Sequence, residues 1–297
     1  GGSCPVNVKF LIEGEEEIGS PNLEPFIAAR KELLACDAVV VSDTAMFDKK
    51  TPSIVHGLRG LSYIQVDVRG TARDLHSGTF GGSVINPAFA LAHIIAGLKD
   101  AKGKVKVAGF YDKVRKLTAK ERKGFLKLPH SDTAWRKSIG AKVLFGEPGF
   151  TTLERVWARP TLEVNGIWGG FQGDGAKTVI PAEAHAKISM RLVPDQKPKE
   201  IVAKVTAAIK KLAPKSVDVT VTHIHSGEGW LADTGHVALQ AAARAVKKAF
   251  GKTPVFTREG GSIPVVATFD RILKVPAVLM GIGLHDDNLH APNEKID

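Results

Sequence analysis

Two kinds of apolar patterning in one chain restrict the folds open to it. Near both ends the apolar residues come in short, nearly continuous runs, over residues 6–12 (VNVKFLI), in DAVVVSD ending at Asp43, and in VPAVLMGIG over 275–283. Such runs suit strands covered on both faces, as in a parallel sheet between helices. From Leu61 onward the pattern changes: Tyr63, Gln65, Asp67 and Arg69 alternate with Ile64, Val66 and Val68, the period of a strand with one buried and one open face. A sheet covered twice and a sheet covered once are different layers. The chain therefore reads as an α/β domain, carried by residues 1–58 and 229–297, interrupted by a small α+β layer over 59–228.

The elements follow from local chemistry. SPNLEPFIAARKELLA reads as a helix capped by Ser20 or Asn22, with Pro21 in its first turn and Leu23, Phe26, Ile27, Leu33 and Leu34 on its apolar face. With the runs before and after it, this makes a β-α-β unit. In the inserted layer a helix starts at Asn86-Pro87 and offers Phe89, Ala90, His93, Ile94 and Leu98 for burial. Strands at 161–166, AHAKISMRLV and VDVTVTHI and a helix in KPKEIVAKVTAAIKKL complete four strands and two helices, with residues 101–160 as an insertion. Beyond Trp230 a helix capped by Asp233 or Thr234, a glycine turn leading to a helix start at Pro264, and the last buried strand return to α/β character.

Composition excludes several classes. The 297 residues are 43% apolar and 24% charged, ordinary for a globular protein. No run approaches the roughly 20 apolar residues of a membrane span, and the first residues lack the charged and apolar regions of a signal peptide. A cytoplasmic protein with no membrane partner is expected. Cys4 and Cys36 stand too far apart for a thiolate zinc site and are expected to be buried thiols. The net charge of +10 is densest over 113–127, but there Val114, Leu117, Phe125 and Leu128 keep near-helical spacing. That favours a solvated basic helix over a phosphate groove, so no nucleic-acid partner is expected.

The acids raise a sharper question. Glu13, Glu15, Glu16 and Glu17 crowd into EGEEEIGS, where like charges repel unless compensated. In open parallel sheets, ligands gather beyond the carboxyl ends of strands. Glu16 and Glu17 follow the first run, Asp43 the second, and His285 with His290 the last. Carboxylate oxygens with imidazoles are the donor set of a hydrolytic zinc or manganese centre. A divalent cation would turn the repulsion into attraction and leave one carboxylate to take a proton from water.

EGEEEIGS, VSDTAMFDKKTPSIVHGLRG, ARDLHSGTFGGSV, GAKTVIPAEAHAKISMRLVPD, TREGGSIPV and HAPNEKID, in this order, resemble the M20 family of metallopeptidases and within it the carnosinase-like dipeptidases. The resemblance implies a zinc-peptidase catalytic domain with a parallel sheet, two divalent metal ions (zinc first, then manganese or cobalt), and an inserted lid that forms a homodimer interface. It implies hydrolysis of dipeptides or short peptides with a free C-terminal carboxylate, through a glutamate base and a metal-bridged water. By motif position Glu16 matches the general base, Glu17 and His290 ligands of one metal, and Asp43 a ligand of the other. His76 matches a lid histidine that polarises the scissile carbonyl in the partner subunit's site, and Arg191 the residue that grips the substrate carboxylate. Thr178, His225, Gly261 and Ser262 match further substrate contacts. An amidohydrolase acting on N-acyl amino acids would use the same base, metals and arginine.

Two family features have no counterpart: an early His-x-Asp and a bridging aspartate in an Asp-Asp-Lys-Gly type of turn. The one His-x-Asp, His130-Ser131-Asp132, lies in the basic insertion and matches no family position. The chain is therefore expected to be a fragment that lacks an N-terminal segment, which would be its partner in a complete metal site, and a short C-terminal one. A non-catalytic dimerising module is the reading from a different class.

Overall fold

The computed structural model describes residues 4–284, 286–288 and 291–296. In chain order, helix α1 (Leu23–Ala29) and strands β1 (Val39–Val41) and β2 (Ser53–Leu58) come first. Then follow β3 (Gly60–Arg69), β4 (Leu75–His76), α2 (Ser77–Phe80), α3 (Pro87–Leu98), α4 (Ala119–Leu126), α5 (Asp132–Ser138) and α6 (Thr152–Ala158). Next are β5 (Thr161–Gly169), β6 (Val179–Ile180), β7 (Glu183–Leu192), α7 (Pro198–Leu212) and β8 (Asp218–Gly227). The chain ends with β9 (Trp230–Leu231), α8 (Val237–Phe250), β10 (Val255–Glu259), α9 (Pro264–Leu273) and β11 (Ala277–Leu279).

These elements form a mixed α/β fold of two compact units. The first holds the residues up to Gly57, Trp230–Arg258 and those from Ile263 on; the second holds Leu58–Gly229 with Glu259–Ser262. In the first unit the strand order is β1-β11-β2-β10, with β9 on β2. β1 runs parallel to β11, and β11 antiparallel to β2, so the sheet is mixed rather than purely parallel. β2 is buried at every residue, which accounts for its unbroken reading SIVHGL. Ile54 and Val278 pack with Leu239, Ala242 and Val246 of α8, while Leu23 and Ile27 of α1 pack with Phe269 of α9.

The second unit is built on an antiparallel sheet ordered β5-β7-β3-β8. The alternation in β3 does what its period requires. Ile64, Val66 and Val68 are fully buried with Ala186, Ile188 and Met190 of β7, beneath Leu91 and Ile94 of α3 and Val205 and Ile209 of α7. Burying each large aliphatic side chain contributes about 1.5–3 kcal/mol. Asn86 caps α3 by accepting from the Ala88 N–H at 2.9 Å, with Pro87 in the first turn. In the insertion, Thr118 and Glu121 form a reciprocal capping box on α4, which buries Phe125 and leaves Lys120 and Lys123 exposed.

Several local expectations are corrected. Residues 6–12 form no strand: Phe10 is 86% and Ile12 89% exposed, because the run has no ladder partner among the described residues. The β-α-β unit is therefore missing its first strand. Among the described residues β1 pairs only with β11, which leaves Val40 65% exposed where a buried strand was expected. α1 stops at Ala29, short of Leu33 and Leu34, and Pro21 precedes it; its Asn22 side chain binds Glu15 instead of capping the helix. His236, not Asp233 or Thr234, caps α8, since Asp233 accepts from the Gly235 N–H at 2.8 Å. Phe89 and His93 of α3 point to solvent, and Leu91 takes their place in the core. Cys4 and Cys36 are exposed, the first in the unpaired leading stretch and the second beyond the early end of α1.

Candidate active site

The acidic loop is organised by its own donors. Glu13 accepts from Ser20 Oγ at 2.9 Å, and both carboxylate oxygens of Glu15 accept from Asn22 Nδ2, at 3.0 and 2.9 Å. Glu16 and Glu17 fall on a single 3-10 turn, Glu16–Ile18, closed by Gly19 in the left-handed region (φ 88°).

Asp43 is exposed just beyond β1. The parallel pairing of β1 with β11 continues past both strands, through Met280 N–H donating to Val41 O at 3.1 Å and the bridge between Ala45 and Gly283. Gly281 N–H donates to Thr44 Oγ1 at 2.9 Å. A Cβ on residue 281 would lie 1.6 Å from Thr44 O, so only glycine lets the two segments run side by side. Downstream, the buried Asp287 accepts from Leu284 N–H at 2.6 Å and closes the turn ahead of residue 290. Asp43 and the segment following β11 thus leave the sheet at the same, carboxyl end of the two strands. His285 and His290 lie outside the described residues, and the Glu17 side chain is not described. Among the described residues, no group of three or more His, Cys, Asp or Glu could hold a metal ion. The donor chemistry of Glu17, Asp43 and His290, carboxylate oxygen with imidazole nitrogen, is that of a divalent cation site.

The remaining candidates all belong to the second unit. His76 and Thr178 meet in the ribbon of β4 and β6, where His76 pairs with Val179 and Ser77 N–H donates to Thr178 O at 3.0 Å. His76 Nδ1 accepts from the Thr79 N–H at 3.2 Å. The proton of the neutral ring therefore sits on Nε2, which lies 3.4 Å from Thr178 Oγ1 and can act as a donor.

Arg191 and His225 project from the open face of the sheet. On β3, Leu61 pairs with Arg191 and Tyr63 with His225, two residues apart, which puts both candidates on one face. A bulge in β8 shifts the register between Tyr63 and Ile64. Burial first, then His223 and Arg191, push the His225 pKa down. Burial also lowers that of Arg191, whose Nη1 donates to Ser262 Oγ at 2.9 Å. Arg191, Ser262 and Gly261 are thus brought together. Sequence reasoning missed Tyr63, Thr44, Asp287 and Arg59; for Arg59 the signal was present, an arginine set between two glycines in Gly57-Leu58-Arg59-Gly60.

The chain is thus an α/β protein of two units with a four-stranded, helix-covered insert, and His76, Arg191 and His225 all lie on that insert. The profile described as "Peptidase dimerisation domain" matches residues 56–217, over half of the chain, and the chain belongs to the M20 peptidase family. The Cys-Gly metallodipeptidase of Schizosaccharomyces pombe is 36% identical over 99% of this chain and 63% of its own length. The human Beta-Ala-His dipeptidase is 34% identical over 99% of this chain and 59% of its own. Among solved structures, human carnosine dipeptidase 1 superposes with a TM-score of 0.83 at 33% identity, covering 99% of this chain and 63% of that one. The M20 family metallo-carboxypeptidase Sso-CP2 of Sulfolobus solfataricus superposes with a TM-score of 0.85 at 32% identity, covering 96% and 64%. The chain spans less than two thirds of the length of these relatives.

Proposed function

We propose that this chain carries the base, part of the metal-ligand set and the substrate-carboxylate clamp of a metal-dependent dipeptidase. The observation that carries the reading is the half-buried Arg191, aimed by Ser262 on the same sheet face as His225. A guanidinium held through one N–H keeps others to fork onto a terminal carboxylate. The two relatives named for cleaving Cys-Gly and Beta-Ala-His support a dipeptide as substrate.

Glu17, Asp43 and His290 would hold divalent ions, zinc by donor chemistry. When bound, those ions supply Lewis acidity at the scissile carbonyl and lower the pKa of water. Glu16 takes the proton of the attacking water and delivers it to the leaving amine. His76 donates through Nε2–H to the carbonyl oxygen as negative charge develops there, in the site of a partner subunit. Thr178 steadies the His76 ring, and Gly261 and Ser262 flank the carboxylate end of the substrate.

The dimerisation profile supports a homodimer through the lid, and two exposed, unpaired thiols suit a reducing cytoplasm. Among the described residues, no helix is long and apolar enough to cross a membrane.

The test is turnover by the full chain, supplied with zinc, of Cys-Gly, its C-terminal amide and N-acetylglycine. Cleavage of the free dipeptide alone, abolished in Glu16→Gln at unchanged metal content, is the expected result. Preferential hydrolysis of N-acetylglycine would make the protein a deacylase, and a dimer that cleaves none of the three would be a non-catalytic module.

A further inference from the structure

Arg59 occupies the single-residue step between β2 and β3, and it is bound to the return segment 259–262 rather than to its own neighbours. Its backbone N–H donates to Gly261 O at 3.2 Å and its Nε to Gly260 O at 3.0 Å. Its Nη1 donates to Arg159 O at 3.4 Å. A Cβ on residue 260 would lie 2.8 Å from Arg59 Nη2 and 2.9 Å from Val156 O, so the turn rests against the guanidinium with no room for a side chain. Glu259–Ser262 accordingly fold with the second unit.

The next link runs through one hydroxyl. Ser262 Oγ lies 2.6 Å from Arg59 O, which can only accept. A serine has one proton to give, so Ser262 gives it to Arg59 O and its lone pairs face Arg191, whose Nη1 donates to them at 2.9 Å. The direction of the hydroxyl, and with it the aim of the Arg191 guanidinium, is set by Arg59.

We propose that Arg59 is the positioning residue of the carboxylate clamp: it holds the 260–262 turn, orients the Ser262 hydroxyl and so aims Arg191 at an anionic group. The proposal rests on the reading of Arg191 as the group that grips the substrate carboxylate. Arg59 itself touches no substrate.

Electrostatics agree with the geometry. Burial, and after it the nearby charge of Arg191, push the Arg59 pKa down to about 10, while Glu163 pulls the other way. Two desolvated guanidiniums side by side repel each other, and an arriving carboxylate relieves that repulsion. A dipeptide with a free C-terminus carries such a group and its amide does not.

The test measures kcat and KM of the zinc-supplied full chain for Cys-Gly and for its C-terminal amide. Arg59→Lys keeps a cation but cannot reach Gly260 O and Arg159 O with a planar fork. KM for the free dipeptide should rise about tenfold with kcat within about twofold, and kinetics on the amide should stay unchanged. Gly260→Ala, whose methyl would press on Arg59 Nη2 while Ser262 and Arg191 keep their own groups, should show the same split, and it decides the matter if Arg59→Lys does not fold. Where turnover is absent, the dissociation constant of Cys-Gly, read from the Arg191 Nε–Hε resonance, takes the place of KM. Equal losses on both ligands, or a fall in kcat at constant KM, would overturn the positioning role. Arg191→Ala separates the two readings: if it does not discriminate dipeptide from amide, the clamp itself is wrong; if it does while Arg59→Lys and Gly260→Ala do not, only the role of Arg59 is.

Discussion

Tyr63 lies flat against His225, with ring centroids 5.4 Å apart and planes 10° apart. The two stand opposite each other in the β3–β8 ladder, and the bulge beside them gives the imidazole its place on the open face. Burial, then His223, then Arg191 disfavour its cationic form. An NMR titration of the full chain should therefore give His225 a pKa below the ordinary value of about 6.5. Between the depressed folded pKa and the unfolded one, the unfolded chain binds more protons, so this residue makes stability climb as pH rises through that window and weighs fully against the fold below it. Arg191→Met, which removes a nearby cation, should raise the His225 pKa; a value at or above the ordinary one in the unaltered chain would contradict the placement.

Phe89 is 77% exposed on α3, whose Leu91, Ile94 and Leu98 are buried. A lid that dimerises would cover it. Phe89→Asp should weaken self-association by about tenfold or more, since truncating a central aromatic at an interface costs about 2 kcal/mol. Analytical ultracentrifugation reads this directly, and an unchanged dimer would place the interface elsewhere.

Gly281 and Gly261 should respond oppositely to the same substitution. A methyl at 281 would strike Thr44 O, whereas nothing lies within 4 Å of one at 261. Gly281→Ala should cost about 3 kcal/mol or more in urea unfolding of the first unit, and Gly261→Ala less than about 1 kcal/mol. Similar losses would mean that the β1–β11 edge does not carry the close approach described.

Periodicity made the inserted layer legible. Alternation in β3 and β7 and the Asn86-Pro87 start of α3 are local signals, and the local chemistry suffices to form them. The outer domain was harder to read, because an apolar run announces a strand but says nothing about its neighbours. Residues 6–12 carry the same signal as β11, yet only β11 finds a ladder on both sides. The candidate residues were found by motif, whereas the groups that hold them were not. Arg59 acts through backbone atoms and one hydroxyl some two hundred residues away in sequence, and Tyr63 through a cross-strand stack, relationships that exist only once the register is set.

The most direct test of the account is zinc K-edge anomalous diffraction from crystals of the full chain grown with zinc. It should place an ion with the Glu17 and Asp43 carboxylates or the His290 imidazole at about 2.0–2.2 Å, and Glu16 beside it without ligating. Zinc bound only at scattered surface positions, with Glu17, Asp43 and His290 converging on no common point, would contradict it.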